Sequence, residues 1–317
     1  MAVLEYTLSG QQAVLTGVSA PTDHIQLPDR VDGYPLTHLG PYCFSARRVE
    51  PAQPVNQTTA GEPDLFGRPD RPVYGGTLVA LALPQPVVEL GSHCCYGCTH
   101  LEELSFYDGL SYVSDGAFKN CRSLSYIILH APHGTTGALE GVLSQVSGFC
   151  EVEIHFPEQT VPLIFPGYSE EWEENCPARI FSLDFNGTGY QYRQCLSFRG
   201  LDFERYDRLF STAANNVTME VLLPLVWRRL SVPYALQQKH QEEYLSWTKA
   251  HLSQMTQWLL QQNIPFFRWY VQWGLVTLDT VEQLRSLAAQ QGDTETVSAL
   301  LDWLKQNRPG FAKEYDL

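Results

Sequence analysis

The feature that most constrains this chain is a repeat. Leu90, Cys98, Leu101, Leu104 and Phe106 return as Val113, Cys121, Leu124, Ile127 and Leu129, each pair 23 positions apart, and the same register steps back to Leu78, Leu81 and Leu83. A unit with one short strand, apolar at alternate positions, cannot bury its apolar edge alone. Units must therefore stack, and stacking of like strands produces a parallel sheet. An earlier copy starts at Ile25-Gln26-Leu27-Pro28 and continues in Leu39-Gly40-Pro41-Tyr42-Cys43-Phe44. Leu39 stands 51 positions before Leu90, so residues from about 47 to 76, rich in Pro, Gly, Gln and Thr, read as an inserted loop. A further strand is expected over Val152 to Pro157. Ala117 and Phe118 on the return stretch are expected to fill the interior, and Cys98 and Cys121 to pack there as small hydrophobes.

The stretch Val113-Ser114-Asp115-Gly116-Ala117-Phe118-Lys119-Asn120-Cys121-Arg122-Ser123-Leu124-Ser125-Tyr126-Ile127 resembles the BspA-like leucine-rich repeat, whose units read roughly I-x-x-x-A-F-x-x-C-x-x-L-x-x-I-x-I-P. Leu27-Pro28-Asp29-Arg30-Val31-Asp32-Gly33-Tyr34-Pro35-Leu36-Thr37 resembles the longer first form of that unit. The resemblance spans about residues 20–160, with Cys95 in place of the usual Phe and Tyr107 and His130 in place of Pro. It implies a leucine-rich-repeat solenoid, a binding scaffold found in bacteria especially, with no common catalytic residue.

From about Leu201 the texture changes and glycine becomes rare. Leu245, Leu252, Met255 and Leu259 fall on one helical face, with Pro265 closing that helix. Further helices are expected over Phe266 to Gly274, from an Asp279 cap through Gln291, and over Thr294 to Asn307. The phrase from Leu287 to Leu301 is similar to the helix-turn-helix of an ankyrin repeat, with Gly292 taking the left-handed turn. The expected fold class is α+β: a short leucine-rich-repeat solenoid with a parallel sheet (1–160, insertion about 47–76), a connecting or capping segment (161–200) and an all-α, ankyrin-like domain of helical hairpins (201–317).

Charge narrows the function classes. With 21 Lys+Arg against 35 Asp+Glu, the net charge is −14 and no basic stripe exists to hold nucleic acid. The longest apolar run, Val221 to Val232, is interrupted by Pro224, Arg228 and Arg229, too broken to span a membrane. The first positive side chain is Arg30, so the basic start of an export signal is missing and a cytoplasmic location with reduced thiols is expected. Cys95 and Cys98 have zinc-ligand spacing within His93-Cys94-Cys95-Tyr96-Gly97-Cys98-Thr99-His100, but the repeat places each thiol at an interior position and no second C-x-x-C completes a ligand set. No metal and no cofactor are expected. Motifs for a nucleophile elbow, a metalloprotease and a phosphate-binding loop are absent, and the run Glu170, Glu171, Glu173 and Glu174 reads as a solvated loop.

What remains is surface. On the sheet the residues alternating with the buried ones point outward: Glu103, Ser105 and Tyr107 on one strand, Tyr126, Ile128 and His130 on the next. Aromatic groups on a rigid platform favour a protein or peptide partner. Two alternatives stand beside this non-catalytic scaffold: an enzyme or small-molecule binder with its site near Glu170 to Gly200, and a structural homo-oligomer. A competing account of Tyr126 and Ile128 is that the insertion or the helical half covers them.

Overall fold

A computed structural model describes residues 1–47, 49, 54–61, 68–175 and 180–307. It divides into two compact units, Met1–Val221 and Leu222–Leu317; the break expected at 201 therefore falls inside the first.

The first unit opens with an antiparallel hairpin, β1 (Ala2–Ser9) and β2 (Gln12–Ala20). β3 (His24–Gln26), β4 (Arg30–Val31) and β5 (Tyr34–Leu39) begin the solenoid. The insertion contributes β6 (Asn56–Ala60) and β7 (Arg71–Pro72), which pair with β1 and β2. The coil then runs through β8 (Ala80–Ala82), β9 (Glu89–Leu90), β10 (Glu103–Tyr107), β11 (Tyr112–Val113) and β12 (Tyr126–His130). After helix α1 (Ala138–Leu143) come β13 (Cys150–His155) and β14 (Thr160–Phe165).

The 23-residue register is the register of the sheet. Leu104 lies opposite Leu81 and Ile127 in parallel ladders. Across the insertion, Ile25 lies opposite Leu81, and Val152 follows opposite Ile127. A second parallel ladder stacks Leu39 on Leu90 and Leu90 on Val113. The third side of each coil is a tight return whose backbone also pairs from rung to rung: Phe44 N–H donates to the Cys94 carbonyl (2.8 Å), and Cys95 N–H to the Ala117 carbonyl (2.8 Å). Tightness there demands the left-handed region. Gly116 (φ +69°), His93 (+58°) and Tyr42 (+59°) share one repeat position and all adopt it, although only glycine does so without steric penalty.

The interior holds Leu81, Leu104, Phe106, Ile127 and Leu129, all essentially solvent-free, with Phe44, Ala117 and Phe118 behind them. The cysteine spacing has its own reason. Cys98 Sγ donates to the Phe44 carbonyl and Cys121 Sγ to the Cys95 carbonyl, both at 3.1 Å. Phe44 and Cys95 occupy equivalent positions, so each thiol satisfies the same inward carbonyl of the preceding rung.

The far end of the sheet is closed by β14, antiparallel to β13. Its outer edge is satisfied by Tyr206, whose hydroxyl donates to the Ile164 carbonyl (2.5 Å) and accepts from Ile164 N–H (3.2 Å). One side chain thus pairs both backbone groups that Ile164 would otherwise leave bare on an edge strand. Beyond β14 lie the hairpin β15 (Ser169–Asn175) and β16 (Ile180–Asn186), α2 (Thr188–Arg193), a short hairpin of β17 (Leu196–Ser197) and β18 (Gly200–Leu201), α3 (Phe203–Arg208), which carries Tyr206, and α4 (Phe210–Asn216).

The division between units falls within α5 (Met219–Ser231). The helix expected over Leu245–Leu259 is two, α6 (Gln238–Ala250) and α7 (Leu252–Gln261). The ladder breaks at His251 (φ −117°, ψ 30°), whose ring stacks on Trp247 at 4.3 Å and whose Nδ1 lies 2.9 Å from the Trp247 carbonyl. α8 (Phe267–Gln272), α9 (Val281–Gln290) and α10 (Thr294–Asn307) follow. Thr277 and Thr280, not Asp279, close the first turn of α9 by reciprocal backbone-to-hydroxyl bonds of 2.9 and 3.3 Å. α9 and α10 pack together across a turn in which Gly292 takes φ +76°, and Met255, Leu259, Tyr270, Leu284 and Leu300 are buried.

Candidate functional site

Strand alternation sends Leu104, Phe106, Ile127, Leu129, Val152 and Ile154 inward. The intervening residues form three rows across the outer face of the sheet. Glu103 lies opposite Tyr126 and Tyr126 opposite Glu151; Ser105, Ile128 and Glu153 make the second row; Tyr107, His130 and His155 the third. All six residues expected on this face come together on two adjacent strands. Ser105 is nearly sealed, at 8% exposure, while the other five are half-buried.

The rows are cross-linked. Ser105 Oγ lies 3.0 Å from His130 Nε2. The His130 ring packs against Tyr107 (4.8 Å between centroids) and meets His155 edge-on (5.0 Å). His155 Nε2 in turn lies 3.2 Å from Glu153 Oε2. Burial, and then neighbouring His155, push the His130 pKa below the usual imidazole value. Burial first, then a hydrogen bond to Glu153 and the charges of Glu153, Glu151 and Glu103, push the Tyr126 phenol up to about 12. The face is thus a connected polar surface under a negative local field. That field is measurable: the absorbance titration of the intact protein should contain a phenol ionising near pH 12 that vanishes in Tyr126→Phe and moves to lower pH in Glu153→Gln. No displacement in Glu153→Gln would contradict the arrangement.

A serine beside an imidazole begins a nucleophile relay, which also needs a group to orient the base. Among the described residues no carboxylate bonds His130, and Ser105 lies beneath the surface. His133, in the turn after β12, is exposed, and its backbone N–H and Nδ1 both engage Asp108 at 2.9 Å. Burial raises Cys150 to about 11 and Cys195 to about 12, far from the thiolate needed for nucleophilic chemistry, whereas hydrogen bonds from Cys43 and Cys95 hold the Cys94 thiol, and from Cys121 and Cys95 the Cys98 thiol, below the usual value inside the fully buried core. Among the described residues no group of three or more His, Cys, Asp and Glu is arranged to hold a metal ion. The alternative site near Glu170 to Gly200 falls largely on side chains outside the described residues.

Glu151, Glu153 and His155 complete all three rows yet were not among the expected site residues. Their alternation with Val152 and Ile154 was present in the sequence, but the strand departs from the 23-residue register, since Val152 follows Ile127 by 25 positions. The insertion pairs, where described, with the amino-terminal hairpin in the other sheet and not with this one.

Stacked parallel rungs with an outward ladder of polar and aromatic side chains define a leucine-rich β-solenoid, here followed by a helical region. Residues 74–159 match the family model of the BspA type leucine rich repeat region, in 6 copies. The crystal structure of a T. pallidum leucine-rich repeat protein is similar at 22% identity, over 42% of this chain and 53% of that one, with a TM-score of 0.28; the chain spans about half the length of that protein. No curated protein matches. No helix among the described residues is long and apolar enough to cross a membrane.

Proposed function

We propose that the protein is a non-catalytic, cytoplasmic scaffold that binds a protein partner through the outer face of the β10–β12–β13 sheet. Leucine-rich repeats generally mediate contact between proteins. The observation carrying the reading is the row geometry: Tyr107, Tyr126 and Ile128, half-buried and held at fixed spacing by the ladder beneath, offer a rigid surface that loses little entropy on binding. The α9–α10 pair supports an ankyrin-like module as a second contact surface. Affinity capture from the native cytoplasm, comparing wild type with a Tyr126→Ala/Ile128→Ser double variant, tests the reading. Partners should be lost from the double variant, with a roughly tenfold or greater fall in affinity for a hot-spot pair. Unchanged capture with unchanged folding would refute the sheet-face assignment.

A further inference from the structure

We propose that Cys98 and Cys121 are an oxidisable pair, and that a small peroxide joins them through a disulfide that staples the rung of β10 to the rung of β12. The pair lies in the interior, apart from the outward rows of the proposed binding face. Cys98 and Cys121 share one repeat position and stand five residues before Glu103 and Tyr126, which lie opposite each other in the parallel ladder. On the return the same two coils are joined again, Gly97 N–H donating to the Lys119 carbonyl at 2.9 Å. Bracketed by these bonds, the two residues are held about 4.8 Å apart, one strand spacing, within the roughly 4.4–6.8 Å a disulfide needs between Cα atoms. Both side chains turn inward and meet at one carbonyl: that of Cys95 accepts the Cys121 thiol and the Cys98 backbone N–H, each at 3.1 Å.

The neighbouring thiols are less suited. A disulfide brings Cβ atoms to about 3.8 Å, so a stacked pair has to close by about an ångström. Cys43 and Cys94 also stack, but Phe44 N–H donates to the Cys94 carbonyl at 2.8 Å and Tyr42 N–H to the Ser92 carbonyl at 3.1 Å, which pins them at ladder spacing. Cys95 N–H is tied in the same way to the Ala117 carbonyl (2.8 Å). Cys98 and Cys121 use their backbone groups inside their own turns, the N–H groups on the Cys95 and Phe118 carbonyls and the carbonyls on Leu101 and Leu124 N–H. Among the described residues neither belongs to a cross-rung backbone bond, so the two can draw together. Giving up the thiol hydrogens leaves no acceptor bare: the Phe44 carbonyl keeps Gly75 N–H (2.7 Å), and the Cys95 carbonyl keeps Cys98 N–H. Cys121 has a 6% exposed edge while Cys98 is sealed, so peroxide, little larger than water, enters past Cys121. The Cys98 sulfur, whose hydrogen bonds favour the thiolate, attacks one peroxide oxygen; the O–O bond breaks, water leaves and a sulfenic acid forms. The Cys121 sulfur then displaces the hydroxyl as a second water. Two thiols thus lose two hydrogens and two electrons, and one peroxide becomes two waters.

To test the pair, the reduced full chain is exposed to hydrogen peroxide in native buffer, denatured with its remaining thiols alkylated, and its digest read by mass spectrometry. A peptide pair linked through Cys98 and Cys121 is expected, two hydrogens lighter than the free peptides and lost on treatment with dithiothreitol. Cys121→Ala should give no linked pair, and its Cys98 should instead be trapped by dimedone as the sulfenic acid on denaturation. In urea the linked chain should unfold at a higher midpoint than the reduced one, because the bond closes a loop between positions 23 apart; peroxide should raise no midpoint in Cys121→Ala. Free Cys98 and Cys121 after native exposure, or a link through Cys94 or Cys95 in place of theirs, overturns the inference. So does a link that forms only in urea, since that chemistry would belong to the unfolded chain.

Discussion

Arg193→Met is expected to lower the unfolding free energy of the first unit by about 3–5 kcal/mol, the range for breaking a buried charged network from one side. Arg193 projects from α2 into the first unit, where it is 6% exposed. Its guanidinium donates to the carbonyls of Val146 (3.2 Å), Gly148 (2.5 Å) and Pro166, and lies over the rings of Phe165 and Tyr168 at 5.6 and 5.4 Å. Two connecting segments, the one that leads into β13 and the one that leaves β14, thus share one donor fork. Burial lowers the guanidinium pKa, but arginine remains charged in proteins, so the charge is held by carbonyl dipoles and aromatic faces. Methionine fills similar volume and removes the desolvation penalty of the cation. The backbone carbonyls cannot be removed with it, and each buried acceptor left bare costs about 1–3 kcal/mol. The second effect wins. Arg193→Lys should lose less, about 1–2 kcal/mol, because an ammonium reaches some of the carbonyls but cannot fork. Urea unfolding followed by circular dichroism measures both; a loss below about 1 kcal/mol for methionine would show that water satisfies the carbonyls instead.

The rungs were legible because a fixed register forces equivalent residues into equivalent places. Leu101 and Leu124 or Leu104 and Ile127 cannot both sit 23 apart and alternate correctly unless the strands stack; Ile25, 56 positions before its partner Leu81, was readable only from the likeness of its own stretch to the repeat. What the register does not cover was harder to read. The amino-terminal hairpin has no copy elsewhere, although Leu4 and Tyr6, or Ala13 and Leu15, alternate as a strand pair would. The left-handed backbone at Tyr42 and His93 follows from the glycine at the equivalent position in the next rung, and nothing in a tyrosine or histidine announces it. A capped solenoid end is a general requirement, but the cap itself joins Tyr206 to Ile164 over 42 positions, a pairing without local signal. The site shows the same division. Alternation placed six residues on one face, yet it specifies the side of a sheet and not the depth: Ser105 lies under His130 because the neighbouring imidazole leans over it.

Leu104→Ala in the central rung is expected to cost about 3–5 kcal/mol, the upper part of the range for deleting a buried leucine. The cost of such a deletion depends on how far the surroundings collapse into the space. Leu104 is fully buried and lies in register between Leu81 on one side and Ile127 on the other. Neither neighbour can approach, because hydrogen-bonded ladders hold the rungs apart on all three sides of the coil, at the sheet, at the Leu39–Leu90–Val113 stack and at the return. The void therefore persists and its lining loses contacts outright. Ile25→Ala in the first rung removes a similar group but differs in setting. β3 is an edge strand with one rung neighbour in its sheet, so half the contact is missing from the start and the site can relax outward; about 2 kcal/mol is expected. Chemical denaturation of the two variants under one set of conditions gives the comparison. A loss at Ile25 equal to or larger than that at Leu104 would mean that stability is not passed between nearest rungs, and the stacked-coil account of this unit would fail on its energetics.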